Sequence, residues 1–467
     1  MISLLILILA GLAMGLLISG LPTVITVSIL GGIIASYLVF FHPGLIIAVL
    51  LCVAPFNILW IGVGATAPEI IYSAVYILLL FSWIFKKVLN VIFSGRTEKI
   101  TSPITVPLIV FFCVACLACI IGMLRGHQFF HWASDLNTMM YYSLCFIMLD
   151  AVKNKRQLYR IFVLLIISAA LGLLWGLYYL LTTGAGADTG INIIYRGLSK
   201  LRNASAFSLI MFIISVAMAT ILPKGRRRAL FVFLSLFFGV MLVTSYTRSA
   251  WIAAVFGLAF LFFVSLAKQK ANFLKLILVA VIALSLYFSI AMSVPTDNPL
   301  FKSIYAIEKR YESIFTAKEE PSIITRGSEW QEAKRKALEH PFFGNGLGTE
   351  ITYFRYDNWF RTQTWDTTRY VHNAYLYLFL NMGALGLISF LWFCIFLVRY
   401  GLRLYGSLAE GIDKALVLGI VSSFASLMVV SLAGPFLASP TLTMWLGFFI
   451  GALIIIDRSR KNIEPRT

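Results

Sequence analysis

The stretch ALFVFLSLFFGVMLVTS (residues 229–245) is followed, across only Tyr246-Thr-Arg248, by SAWIAAVFGLAFLFFVSLA (residues 249–267). Each run is close to the roughly 20 apolar residues that a helix needs to cross the hydrocarbon of a bilayer. Two such runs joined by a three-residue turn read as a pair of membrane spans, with Arg248 held at the surface between them. The same pattern recurs outward in both directions, predicting fourteen spans at 2–19, 22–41, 44–61, 69–88, 104–124, 132–150, 158–181, 204–222, 229–245, 249–267, 274–294, 373–398, 415–434 and 436–456. The chain as a whole agrees: 60% of its 467 residues are hydrophobic and only 12% charged, with a mean hydropathy of +0.90. Soluble proteins carry about 25% charged residues, enough to cover their surface. This chain cannot cover itself, so its outer surface faces lipid. A soluble enzyme, a nucleic-acid-binding domain and a disordered scaffold are excluded, and the fold class is an all-α, polytopic helical membrane protein.

The net charge of +18 has a topological reading. Lys and Arg collect in short clusters between apolar runs, among them Lys86/Lys87/Arg96/Lys99, Lys153/Lys155/Arg156/Arg160, Lys224/Arg226/Arg227/Arg228, Lys268/Lys270/Lys275, Arg399/Arg403/Lys414 and Arg458/Arg460/Lys461. With fourteen spans and a cytoplasmic N-terminus, every one of these falls inside, as the positive-inside rule requires. Both termini are then cytoplasmic. The first apolar stretch lacks a basic region before it and a convincing cleavage site after it, so it reads as retained spans. Outside lie Arg125–His131, the loop Thr182–Asn203, the turn at Arg248 and the long segment Pro295–His372. That segment has ordinary soluble composition, with eleven basic and eleven acidic residues. The chain therefore divides into a membrane bundle over 1–294, a small helical periplasmic domain over 295–372, and membrane helices with a tail over 373–467. Leu300, Ile304, Ile307, Tyr311 and Ile314 recur at helical spacing, which predicts an amphipathic first helix. A second is expected over Ser328–Glu339, opened by the Arg326 segment and closed by His340-Pro341, with Gly344-Asn-Gly-Leu-Gly348 as a tight turn.

No span carries an ionisable residue near its middle, which counts against an ion-coupled pump or exchanger and against a flippase lined by polar groups. Cys113, Cys116 and Cys119 have a CxxCxxC spacing inside an apolar run, where a metal would lack polar support; helix packing is the expected role. His42, His127, His131 and His340 show no metal-ligand spacing, and no paired acidic motif for a metal-bound nucleotide sugar appears. No cofactor and no metal are expected. Among the charged residues of the outer face, the candidates are Arg248 in Thr244-Ser-Tyr-Thr-Arg-Ser-Ala-Trp251, Arg326 in Thr325-Arg-Gly-Ser-Glu-Trp330, and His372 in Arg369-Tyr-Val-His-Asn373. Guanidinium groups grip phosphate oxygens bidentately and suit a lipid diphosphate, and a histidine accepts a proton near neutral pH. Interfacial arginines also serve as headgroup anchors, and interfacial histidines as structural residues. Arg196, Lys200 and Arg202 form a secondary basic patch, for a carrier, an acceptor or anionic lipid.

The set Thr244–Trp251, Arg326-Gly-Ser-Glu-Trp330, His340-Pro-Phe-Phe-Gly-Asn-Gly-Leu-Gly348, His372-Asn373-Ala-Tyr-Leu and Gly383-Ala-Leu-Gly386, in this order and topology, resembles the O-antigen ligase/O-antigen polymerase superfamily. The resemblance implies a GT-C-type glycosyltransferase of a bacterial inner membrane that takes a glycan from undecaprenyl diphosphate on the periplasmic face without a metal. A ligase would pass it to a lipid A–core sugar, a polymerase to a growing carrier-linked glycan; protein O-oligosaccharyltransferases share the pattern. The single large late loop favours a ligase, whereas fourteen spans exceed the twelve usual for ligases. On this reading Arg248 and Arg326 stabilise the leaving diphosphate, His372 is the base for the acceptor hydroxyl, and single displacement inverts the anomeric centre. Membrane lipids are the remaining partners, and no nucleic acid is expected.

Overall fold

The computed structural model describes residues 36–60, 67–94, 102–184, 205–293, 311–312, 321–357 and 362–461. Its helices, in chain order, are α1 (Pro43–Trp60), α2 (Ala67–Ser94), α3 (Thr105–Leu124), α4 (Phe129–Met140), α5 (Leu144–Ala151), α6 (Lys155–Gly184) and α7 (Ser205–Ile221). There follow α8 (Arg226–Val243), α9 (Arg248–Val264), α10 (Ala267–Met292), α11 (Pro321–Ala337), α12 (Ala374–Ser407), α13 (Ile412–Val430) and α14 (Pro440–Lys461). Among the described residues, six helices are long and apolar enough to cross a membrane: Ile70–Phe93, Thr105–Leu124, Lys155–Trp175, Ala374–Ser407, Ile412–Val430 and Leu442–Lys461. Pro43–Phe56, Ser205–Ile221 and Arg248–Val264 are shorter apolar helices. The expected span 2–19, most of 22–41, the basic patch Arg196/Lys200/Arg202 and nearly all of the first amphipathic helix lie outside the described residues.

The run 132–150 is not one helix. It breaks into α4, a tight 3-10 turn at Tyr141–Ser143, and α5. The break falls where α14 crosses, since a Cβ on Gly447 would lie 2.7 Å from the Tyr141 carbonyl oxygen. Gly451, one turn on, passes Met148, whose Sδ would lie 3.0 Å from a Cβ there. In lipid, helices associate by close van der Waals packing, and small residues four apart permit the approach. Trp445 of α14 is fully buried and donates from Nε1 to the Leu51 carbonyl at 3.0 Å. A second small-residue contact joins α9 to α13, where Gly257 faces Ser426. Of the three spaced cysteines, Cys119 alone is buried, whereas Cys113 and Cys116 are exposed. Each three-residue step falls about 60° short of a full turn, so the row winds off the packed face.

The two ends of the bundle differ in chemistry. At one end, Lys155 pairs with Asp413 at 2.7 Å, Lys87 with Asp150 at 3.0 Å, and Lys461 with Asp457 at 2.9 Å, while Tyr405 donates to Gln269 at 2.6 Å. At the other, the Ala374 amide that begins α12 donates to the Ser431 carbonyl just past α13. The basic clusters and the His372 segment thus occupy opposite ends.

The segment between α10 and α12 is not purely helical. Strands β1 (Ile351–Asp357) and β2 (Thr362–Thr368) pair antiparallel, with Ile351 opposite Thr368 and Phe354 opposite Trp365. Threonines and aromatics favour the pleated backbone. A lone hairpin is marginal, and α11 supports this one: Ser328 Oγ accepts the Phe354 amide at 3.1 Å.

Two glycine motifs interlock to fix this segment. Gly383 has φ +65° and ψ −166° and breaks the hydrogen-bond ladder of α12. The groups freed by the break are re-paired: Leu380 and Asn381 carbonyls accept the amides of Asn345 and Gly346, while Ala384 and Leu385 amides donate to the carbonyls of Pro341 and Phe342. Gly344, Gly346 and Gly348 all have left-handed φ, so the expected turn is a strap laid against α3, α4 and α12. A Cβ at Gly383 would meet the Phe342 carbonyl at 2.4 Å. Gly383→Ala combines left-handed strain with overpacking, a cost of at least about 3 kcal/mol. The variant is expected to lose monodispersity and thermal stability in detergent, measured by fluorescence size exclusion.

Candidate active site

Helix α11 begins at Pro321, not at Arg326 or Ser328. Proline presets φ for a first helical position and lacks only an amide that would go unpaired there. Arg326 therefore lies in the second turn, and Glu329 follows three residues later on the same face. The opposite face is solvated, with Arg335 bridging Glu332 and Glu339. Asn345 of the glycine strap donates to the Lys336 carbonyl at 2.8 Å, which ties the end of α11 to α12.

Glu329 is almost wholly buried and holds His372 twice. Its Oε2 lies 2.7 Å from His372 Nδ1, and its Oε1 accepts the His372 backbone N–H. A carboxylate facing Nδ1 accepts an N–H there and so orients the ring by that nitrogen. The glutamate side chain is 1% exposed, whereas the imidazole is 40% exposed, so the pair is anchored on one side and reachable on the other. The next residue, Asn373, caps α12 by accepting the Tyr375 and Leu376 amides at 3.0 Å each. His372 is thus clamped between a buried carboxylate and a helix N-terminus. The Tyr370 ring stands edge-on to the imidazole at 5.3 Å. Desolvation first, and then the Glu329 carboxylate, push the Tyr370 phenol up to about 12 against the pull of Arg326, although the residue leaves about half its surface exposed. Arg326, one helical turn before Glu329, thus acts on the same phenol that stands beside His372.

A second polar group locks the His372 segment to the bundle. Arg369 donates to the His131 carbonyl at 3.0 Å and approaches Asp135 at 3.4 Å. Asp135 is buried on α4 and also accepts the Gly348 amide at 2.9 Å. One carboxylate therefore holds both the glycine strap and the strand that leads to His372. Burial, followed by the Arg369 charge, lowers the pKa of His131 despite Glu350 at 3.2 Å.

Arg248 starts α9, one residue after Thr247 and two after Tyr246, whose φ of 53° is left-handed. Such a conformation in an aromatic residue is uncommon and marks a constrained turn. Trp251 closes the turn by donating from Nε1 to the Leu242 carbonyl at 3.1 Å. Helix α9 then runs down α13 through the Gly257–Ser426 contact towards Gln269, which meets Tyr405 near the far end of α12. Arg248 is consequently at the same end of the bundle as His372. The structure joins His372 to Glu329, places Arg326 one helical turn before that glutamate, and sets Arg248 at the same end of the bundle.

Residues 230–391 match the family model described as O-Antigen ligase. Over that stretch the chain is similar to O-antigen ligases. The matched stretch spans Arg248, Arg326, Glu329 and His372, and supports the O-antigen ligase/polymerase superfamily and, with the apolar helices, a multi-pass, glycosyltransferase-like membrane enzyme. For such a family the general partners are a lipid-linked glycan and a lipid A–core acceptor. A comparison with curated proteins finds no significant match. Glu329 and Asp135 were not among the sequence candidates. Glu329 sat inside the quoted Arg326–Trp330 motif, one helical turn from the arginine, and Asp135 was an acid inside an apolar run; both were legible signals of a buried partner.

Proposed function

We propose that the protein transfers a glycan en bloc from undecaprenyl diphosphate to a sugar hydroxyl of lipid A–core at the periplasmic face of a bacterial inner membrane. The observation that carries this reading is the Glu329–His372 pair, a buried carboxylate holding a reachable imidazole. The acceptor hydroxyl attacks the anomeric carbon as the bond to the diphosphate oxygen breaks, and its proton passes to Nε2 of His372. Glu329 steadies the imidazolium that forms through the Nδ1–H bond. Arg248 and Arg326 neutralise the charge growing on the departing diphosphate, with Arg196, Lys200 and Arg202 as secondary contacts to carrier or acceptor. One displacement gives an inverted product in a GT-C-type enzyme. The basic end of the bundle is then the cytoplasmic end, with both termini there and residues 295–372 as the periplasmic domain.

The test is transfer by purified protein from carrier-linked glycan, with lipid A–core and a second carrier-linked glycan offered in parallel. Product on lipid A–core is expected. Elongation of the carrier-linked chain alone would make the protein a polymerase, and no transfer to either would remove the glycosyltransferase reading. Because the arginines supply the positive charge, EDTA is expected to leave the rate unchanged. Loss of activity rescued by magnesium or manganese would replace the arginine mechanism with a metal-assisted one.

A further inference from the structure

A cavity of about 410 Å³, with a lining part polar and part apolar, lies between α1, α2 and α5, at the end of the bundle away from His372. Its polar lining is Ser82, Trp83, Lys86, Lys87 and Asn90 of α2, with Asp150 of α5. The expected span 69–88 put the two lysines at a helix end, as topology anchors. The structure extends α2 to Ser94, so they stand about two turns inside an apolar helix.

The donors there are in excess. Asp150, the one acid in the lining, is covered by Trp83 Nε1 and by Lys87 Nζ at 3.1 Å. Lys86 donates to the Phe40 carbonyl and rests over the Phe40 ring at 4.2 Å, which occupies one of its three N–H groups. The Ser82 hydroxyl is buried without a hydrogen-bond partner among the described residues. The Lys86 ammonium, the Asn90 amide and the Ser82 hydroxyl beside one engaged carboxylate make a site for an anion with several acceptor oxygens. The face of α2 beside it is lipid-like: Phe81, Phe85 and Val88 are exposed along it. An anion that brings acyl chains fills both surfaces at once.

We propose that this cavity binds the phosphate of an anionic phospholipid headgroup, with the acyl chains lying along Phe81, Phe85 and Val88. Basic pockets between membrane helices at the positively charged end are suited to such headgroups. The site is separate from glycan transfer and stands whether or not that reading holds.

Native mass spectrometry of the purified chain, titrated with phosphatidylglycerol, with phosphatidylethanolamine or with inorganic phosphate, tests it. Selective retention of phosphatidylglycerol is expected in the wild type. Lys86→Gln combined with Asn90→Leu should weaken it about ten-fold or more, the scale of a lost charge-assisted hydrogen bond. Ser82→Ala, which leaves every ion pair in place, should weaken it by a smaller factor and guards against a misfolded double variant. Arg227→Gln, a charge removed outside the cavity, should bind as the wild type does. Equal retention by wild type and both cavity variants overturns the proposal. So does equal retention of phosphatidylethanolamine, or protection by inorganic phosphate as large as by the lipid, which would make it a free-anion site.

Discussion

His372→Ala is expected to express and insert normally, to bind the carrier-linked donor as the wild type does, and to slow transfer by roughly 100-fold or more, the scale of a lost general base. The split follows from geometry. The imidazole is tethered through Nδ1 and the backbone amide, so its other nitrogen is the only part offered to substrate. On the proposed mechanism, removing it takes away proton acceptance and leaves Arg248 and Arg326 in place. Asn373 still caps α12 in the variant, so the backbone keeps its course. Donor binding and single-turnover transfer, measured separately, check the split. Weakened donor binding with turnover intact would make His372 a binding residue.

Arg326→Ala and Arg248→Ala are expected to lose transfer by about 100- to 1000-fold each, because a diphosphate leaving without compensation for its charge meets a higher barrier. Lysine at either position should restore little, since an ammonium cannot reproduce the planar two-pronged grip. The two sites differ in what else would change. Arg326 shares a helix face with Glu329 and acts on Tyr370, so its loss also alters the charge around the base. Arg248 opens α9 behind the strained Tyr246 turn, on a separate element. Its loss should leave the pH profile of the remaining activity unchanged, whereas loss of Arg326 should displace it. Full activity in both alanine variants would remove the arginines from the site.

The membrane class was legible because it is a property of composition, and 12% charge leaves no soluble alternative. The turn at Arg248 was legible for a local reason, since three residues between two apolar runs leave room for nothing else. The helix break was hidden. Nothing in the run 132–150 marks Tyr141–Ser143 as a 3-10 turn, and the helix packed closely there, α14 at Gly447, lies about 300 residues further along the chain. The hairpin was obscured in the same way: its threonines and aromatics alternate, but a stable strand pair needed α11 alongside. The Gly344–Gly348 turn was seen, while its purpose depended on carbonyls released by Gly383 far along the chain. Arg326 and His372 stand out by their motifs and their place in the chain, since the segment 295–372 holds eleven basic residues. The tether of His372 depended on Glu329, 43 residues before its partner, and pairing at that separation is set by tertiary contacts.

The central claim is that Glu329 and His372 act as one unit, and a double-mutant cycle on the transfer step measures it directly. Glu329→Gln keeps the size of the side chain but removes the charge that fixes and steadies the imidazole, so it should lower the rate substantially by itself. Residues that work as a unit are non-additive. The Glu329→Gln/His372→Ala double variant should therefore transfer no more slowly than His372→Ala alone. If the two losses instead multiply, or if Glu329→Gln retains the wild-type rate, the carboxylate and the imidazole act independently and the pair is not the catalytic base.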